Sequence, residues 1–174
     1  MPRYSVEGLP LIPGYIELVA AGVPFIFDPG QGLPMFSGEE VLAFLKDATY
    51  LAVNDYEGKM VEEKTGRSLA ELASLVRAVI VTRGAAGSTI FADGARHDIP
   101  CVKASDLVDP TGCGDAYRAG LLYGIGRKWD WQKTGQLASL MGSLKIASRG
   151  GQNHHATREE IGACYRAAFG APLW

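Results

Sequence analysis

The sequence predicts an α/β architecture, a mostly parallel sheet that ends in a hairpin, on three observations. Apolar runs of strand length alternate with capped helical patterns through the first half, as parallel strands joined by crossover helices require. Asp93-Gly94 then separates Ser88 to Ala92 from Ala95 to Ile99, a two-residue hairpin signal. The last third is helical in pattern almost throughout.

The elements follow in chain order. Residues 1–14, with Pro2, Pro10 and Pro13, read as an irregular lead-in. Tyr15 to Ala20 has helical spacing and stops at Gly22, a C-cap. Val23 to Phe27 is a short buried strand that ends in Asp28-Pro29-Gly30. Ser37 to Glu40 is a capping box, and Val41, Leu42, Phe44 and Leu45 follow on one helical face. Tyr50 to Val53 is a second strand and gives way at once to Asn54-Asp55-Tyr56-Glu57. A capping box at Ser68 to Glu71 opens a helix through Val76, and Ala78 to Thr82 is a third strand. After the hairpin come helices over Cys113 to Arg127 and Thr134 to Ser148, and a last one opened by the Thr157 to Glu160 capping box. Trp129 and Trp131 read as packing residues.

Composition narrows the function. At 174 residues, 47% hydrophobic and 21% charged, the chain can bury a core and is not a disordered tail. Seventeen Lys+Arg against nineteen Asp+Glu leave no basic excess, which disfavours nucleic acid as a partner. No apolar run approaches a membrane span and no signal segment is visible. Three cysteines without a C-x-x-C pair make neither a disulfide framework nor a zinc site, so a reduced cytoplasmic compartment is expected. Glycine, at 22 of 174 residues, exceeds the usual roughly 7% and points to short loops and close backbone approaches.

The chemistry concentrates in Asp109-Pro110-Thr111-Gly112-Cys113-Gly114-Asp115, which runs straight into a helix. A glycine-rich turn at a helix N-terminus presents free N–H groups and the positive end of the dipole, an anion site suited to phosphate. A carboxylate in that first turn, Asp115, can accept a proton from an attacking hydroxyl while the N–H groups hold the transferring phosphoryl group. Taken alone, Asp115 is equally well a residue that complements the helix dipole. There is no G-x-x-x-x-G-K-[ST] loop and no G-x-G-x-x-G after a strand. Asp28, Asn54 and Thr82-Arg83-Gly84 all follow strand ends, which gathers polar residues along the rim where open α/β sheets bind ligands.

These motifs together resemble the PfkB, or ribokinase-like, family of sugar and nucleoside kinases. Asp109 to Asp115 resembles the family's second signature, with Pro110 and Cys113 at variant positions; Asn54 to Glu57 resembles its N-x-x-E motif. Val81 to Gly87 resembles its nucleotide loop, and Ser148 to His154 its C-terminal glycine segment. The segment from Phe25 to Met35 and Gly151-Gln152-Asn153-His154 are most like bacterial adenosine kinases. The resemblance runs from about Tyr15 to Phe169 and covers only the C-terminal half of a ribokinase-like three-layer sandwich. The lid and the N-terminal, substrate-gripping half are not seen. Residues 15–174 therefore look like a nucleotide-binding and catalytic half.

The resemblance implies ATP-dependent transfer to a nucleoside or sugar hydroxyl, with Asp115 as base and Gly112, Cys113 and Gly114 as the anion hole. It implies nucleotide contacts from Asn54, Glu57, Thr82, Arg83, Gly84, Gly87, Ser139 and Asn153, with Glu57 reaching Mg²⁺ through water. It further implies a monovalent cation such as K⁺ at Asp109, Thr111, Ser148 and Gly150, held largely by backbone oxygens. Asn54 and Glu57 are also the N-cap and N3 acid of an ordinary capping box. Thr82, Gly84 and Gly87 equally suit a plain strand-to-turn transition. Ser139 is ordinarily just a packed or solvent-facing helix serine. A truncated, non-catalytic nucleotide binder is the competing function. A half-sheet with an uncovered edge also predicts pairing with a second copy or with a chain that carries the absent half.

Overall fold

Among the described residues five strands form one sheet in chain order: β1 (Ile26–Phe27), β2 (Tyr50–Asn54), β3 (Ala78–Thr82), β4 (Ser88–Ala92) and β5 (Ala95–Ile99). β1, β2 and β3 run parallel, and β4 and β5 add an antiparallel hairpin beside β3. The computed structural model describes residues 17–174, so the lead-in over 1–14 lies outside the described residues, as do the first two residues of the first expected helix. Residues 17–20 are helical. Gly22 closes them at φ +64°, with its N–H on the Val19 carbonyl and the Val23 N–H on the Leu18 carbonyl, a Schellman cap.

Six helices of one turn or more follow among the described residues: α1 (Gly38–Asp47), α2 (Asp55–Thr65), α3 (Leu69–Leu72), α4 (Cys113–Gly126), α5 (Trp131–Ile146) and α6 (Arg158–Phe169). All three expected capping boxes form, at Ser37, Ser68 and Thr157. The hairpin turn places Asp93 at φ 53° and Gly94 at φ 72°, the pair of positive angles a type I′ turn needs.

Alternation along β2 and β3 sorts side chains to two cores. Leu51, Val53, Val79 and Val81 pack against Val41, Leu45, Val61 and Leu72 of α1, α2 and α3. Tyr50, Ala52, Ala78 and Ile80 face Tyr117, Leu121 and Ala138 of α4 and α5 on the other side. Helices thus cover both faces, the three-layer arrangement, with α6 forming a third cluster on the outside of α5 through Leu137, Leu140 and Tyr165. No helix among the described residues is long and apolar enough to cross a membrane.

Several elements differ from expectation. The first strand is only two residues, because the ladder with β2 begins at Ile26 opposite Tyr50, although the Phe25 carbonyl already accepts the Thr49 and Tyr50 N–H groups. Gly30–Met35 is a 3₁₀ helix, and the helix after Ser68 lasts one turn before residues 73–77 bend toward β3. Helix α5 starts at Trp131, not Thr134, because the Asp130 carboxylate accepts the Lys133 N–H at 2.8 Å and caps it. Trp131 packs edge-on to Tyr50 and Trp129 to Tyr123, as packing residues should.

Candidate active site

The C-terminal ends of the parallel strands define one rim: Asp28 follows β1, Asn54 ends β2, and Thr82 ends β3. Register sets Asn54 beside Thr82 and Thr82 beside Ser88. Two contacts draw the N-terminus of α4 to this rim. Tyr117 Oη shares a 2.7 Å hydrogen bond with Ser88 Oγ in the interior, and Arg118 Nε pairs with Asp28 Oδ2 at 2.5 Å. The turn from Gly112 to Asp115 therefore opens at the sheet's edge, where a ligand can reach it.

Gly112 is the N-cap of α4 at φ 80°, a left-handed conformation that a side chain would strain. A Cβ there would also stand 2.9 Å from the Gly151 carbonyl oxygen, so the later glycine loop packs directly on the turn. No side chain among the described residues caps this helix. The Cys113 N–H bonds the Pro110 carbonyl at 3.1 Å, which removes Cys113 from the expected anion hole: its donor closes the turn. The N–H groups of Gly112, Gly114 and Asp115 meet no acceptor among the described residues. Three free donors at the positive end of a fourteen-residue helix make an anion seat. Asp115 is exposed on that first turn and makes no ion pair or hydrogen bond among the described residues, so its carboxylate faces outward.

The other acid of the motif has a different task. Asp109 Oδ1 accepts the Thr111 N–H at 2.9 Å, and Oδ2 accepts the Gly150 N–H at 2.7 Å. These two backbone donors pull its carboxyl down to about 2. Asp109 thus clips the glycine loop after α5 to the turn before α4. Beneath the clip, the fully buried Lys145 donates to the Asp109 carbonyl at 2.8 Å and to the Ser148 carbonyl at 3.0 Å. Asp109, Thr111, Ser148 and Gly150 meet at this clip, where the Asp109 and Ser148 backbone oxygens accept from the Lys145 ammonium group. The Cys113 thiol, half-buried beside Asp109, is pushed up by burial and is no ready nucleophile.

Comparison with known proteins places the chain in a family. The family model for pfkB family carbohydrate kinases matches residues 18–158. The chain belongs to the PfkB family. Its curated relatives include a nucleoside kinase of Methanocaldococcus jannaschii, 33% identical over 135 residues, covering 78% of this chain and 45% of that protein. The solved structure of Burkholderia thailandensis nucleoside kinase in complex with ADP-inosine is 55% identical at a TM-score of 0.87, covering 90% of this chain and 49% of the other. The M. jannaschii nucleoside kinase structure matches at 31% and a TM-score of 0.79 over 83% of this chain and 48% of that one. The fold is thus the ribokinase-like one, and the chain spans about half the length of the relatives it matches.

The remaining PfkB-motif residues take these places. Asn54 and Glu57 form a complete capping box: Asn54 Oδ1 accepts the Glu57 N–H and Glu57 Oε2 accepts the Asn54 N–H, both at 2.8 Å. Glu57 keeps its other oxygen clear of these bonds, so the capping role leaves one carboxylate oxygen uncommitted among the described residues. Thr82 ends β3, and Arg83 and Gly84 begin a 3₁₀ turn in which the Arg83 N–H bonds the Gly87 carbonyl. The Arg83 guanidinium turns toward Asp98 at 3.7 Å. At Gly87 a Cβ would stand 2.2 Å from the Ile99 carbonyl oxygen, a steric reason for glycine independent of any nucleotide.

Ser139 differs from expectation. Its hydroxyl donates to the Pro100 carbonyl at 2.9 Å and accepts the Val102 N–H at 3.0 Å, so it staples the 100–102 loop instead of presenting a free group to a base. That loop forms one wall of a cavity of about 620 Å³, lined by Pro100, Val102, Leu140, Leu144, Ala147 and Phe169, among others. Asn153 is exposed and folds back on its own loop, donating to the Arg149 carbonyl at 3.1 Å.

Two residues at the site escaped sequence reasoning. Arg118 lies one turn past Gly114, and its Nη1 would meet a Gly114 Cβ at 2.6 Å, so the guanidinium covers the anion seat. The i, i+4 spacing from Gly114 was the available signal. Lys145 carried none, because nothing in a helical pattern marks a lysine as buried.

Proposed function

We propose that this chain is the nucleotide-binding, phosphoryl-transferring half of a PfkB-family kinase that moves the γ-phosphoryl of ATP to a hydroxyl of a nucleoside or, less specifically, a sugar. The observation that carries this reading is the pairing of free N–H groups at Gly112, Gly114 and Asp115 with an exposed, unpartnered Asp115 carboxylate at the sheet's rim.

Phosphoryl transfer passes through a loose transition state, so positioning and charge stabilisation matter more than early deprotonation. The three N–H groups would hold the equatorial oxygens of the transferring group, with Arg118 alongside. Asp115 would orient the acceptor hydroxyl and take its proton. Glu57 fits Mg²⁺ through water, since one carboxylate oxygen stays clear of the capping box and Mg²⁺ retains much of its hydration. The metal would supply charge neutralisation on the phosphates. The apolar cavity beside the 100–102 loop is of the size that small-molecule pockets have, about 300–1,000 Å³, and would seat the adenine base.

The acceptor is proposed to be a nucleoside, from the names of the relatives. Inosine, seen bound to the B. thailandensis relative, and adenosine are the first to try. The elements that grip the acceptor would come from outside these 174 residues, docking along β1, a two-residue strand whose outer edge is unpaired among the described residues.

Coupled ADP release with adenosine, inosine, ribose and fructose, measured on this chain and on a protein extended upstream, tests the reading. Turnover by the extended protein with any of these supports it. ATP hydrolysed by neither protein, together with no ATP binding by calorimetry, refutes it. A second reading, a nucleotide-binding remnant without transfer, rests on the half-length coverage of the relatives and predicts ATP binding with no turnover by either protein.

A further inference from the structure

Lys145 is an anomaly on energetic grounds. Its side chain is fully buried, and burying an ammonium costs several kcal/mol unless its donors are well matched. No carboxylate lies within ion-pair distance among the described residues. Instead it bonds two backbone carbonyls, Asp109 at 2.8 Å and Ser148 at 3.0 Å. A cation held by carbonyl oxygens between two loops is how a bound K⁺ would be held, and ammonium is close to K⁺ in size and preferred partners.

The position explains why a charge would be kept there. Asp109 opens the turn that carries Gly112, Gly114 and Asp115, and Ser148 opens the loop whose Gly151 packs on Gly112. Both segments also meet at the Asp109 carboxylate. A fixed positive charge at their junction ties them together and sits on the protein side of the anion seat, where negative charge arrives. The charged or titratable groups that act on this junction are Asp109 and Cys113.

We propose that the Lys145 ammonium is a built-in substitute for a monovalent cation, so that this kinase half holds its anion seat without free K⁺. A K⁺ at Asp109, Thr111, Ser148 and Gly150 does not fit, because two of the oxygens it would use are occupied. Lys145 acts as a positioning residue. The inference rests on the phosphate-binding reading of the α4 turn only for its nucleotide arm.

The test uses the 174-residue chain in KCl, NaCl and tetramethylammonium chloride at equal ionic strength. Thermal unfolding and calorimetric ATP binding are both measured. A cation that binds only the folded state raises the melting midpoint with its concentration, so the natural chain should show the same midpoint in all three salts. Its ATP Kd should be alike in all three. Lys145→Ala opens a carbonyl-lined hole. It should melt lower and bind ATP about tenfold more weakly in tetramethylammonium, and K⁺ should restore much of both.

A K⁺-dependent rise in the natural chain's midpoint overturns the proposal. So does a Lys145→Ala chain that K⁺ leaves unchanged, whether intact or damaged, since that makes the lysine merely structural. If Lys145→Ala does not fold in any salt, the natural chain's salt series decides alone. Absence of ATP binding in every salt would count against the kinase reading while the melting data still judge Lys145.

Discussion

Replacing Gly120 by alanine should loosen the contact that holds the anion seat in place. Gly120 faces α5 across the tightest part of the α4–α5 packing, and a Cβ there would lie 2.6 Å from Ala138 Cα and 2.9 Å from its nitrogen. Carbon atoms prefer about 3.5 Å or more, so the helices must part by roughly 1 Å. The obstacle is backbone and cannot rotate away, which places the cost near the upper end of the ~1–3 kcal/mol seen for overpacking. Alanine recovers about 1 kcal/mol of helix propensity, leaving a net loss of about 2 kcal/mol. Gly126, the last residue of the same helix, has nothing within 4 Å of its Cβ position among the described residues, so Gly126→Ala avoids the clash and gains at most about 1 kcal/mol of propensity. The two variants should therefore differ by about 2–3 kcal/mol, or on the order of 1–1.5 M in urea midpoint for a slope of ~2 kcal/mol/M. Urea unfolding followed by circular dichroism measures this. Variants within about 1 kcal/mol of each other would show that α4 and α5 separate freely, and the claim that their contact fixes the turn would fail.

In an upstream-extended, active protein, Asp115→Asn should lower kcat by on the order of 10²–10⁴-fold while the ATP Kd moves little; equal losses in both would make Asp115 chiefly structural. Asp109 has a depressed carboxyl, from 3.8 to about 2, so the clip's contribution to stability is complete above 3.8 and disappears as pH falls through about 2. Melting curves between pH 2 and 5 should show this slope, and Asp109→Asn should flatten it; an unchanged slope would assign the acid sensitivity to other groups. Tyr117→Phe strands Ser88 Oγ in the interior and should cost about 1–3 kcal/mol, and adding Ser88→Ala should recover part of it in a double-mutant cycle. Arg118→Ala frees Asp28 and uncovers Gly114, and should weaken ATP binding in a way that 0.5 M salt does not mimic in the natural chain; equal ATP Kd would remove Arg118 from the site.

Much of the frame was legible because its signals are local. Capping boxes at Ser37, Ser68 and Thr157 need only residues three apart, and the Asp93-Gly94 turn needs only two, so each forms as its spacing dictates. The sheet and its rim followed from alternating elements. What escaped depended on distant partners. Helix α2 buries only Gly58 and Val61, so its apolar stripe is too thin to announce a helix, although its cap at Asn54 was in plain view. The ends of the Val23 strand and the Ser68 helix are set by what they pair with and bend toward. Cys113's N–H was assigned to the phosphate because glycine spacing does not reveal that the Pro110 carbonyl takes it.

The same limit explains why the two acids of one motif had to be separated by structure. Asp109 and Asp115 are the same residue type, six positions apart, beside the same glycines. One meets two backbone N–H groups and is held ionised as a strut; the other meets none among the described residues and faces outward. One donor is local, the Thr111 N–H two residues on, and the other comes from Gly150, forty-one residues later. A strut that has its acceptor sites filled can fix geometry but has little capacity left for a proton, whereas an unpartnered carboxylate can take one. The proposed division into base and strut therefore rests on how the loop after α5 folds back on the turn before α4. The buried Lys145 beneath both loops makes that return rigid. If the loop were cut free of Asp109, that acid would keep the Thr111 N–H and lose the Gly150 one, and the site would keep its donors while losing the tie that aims them.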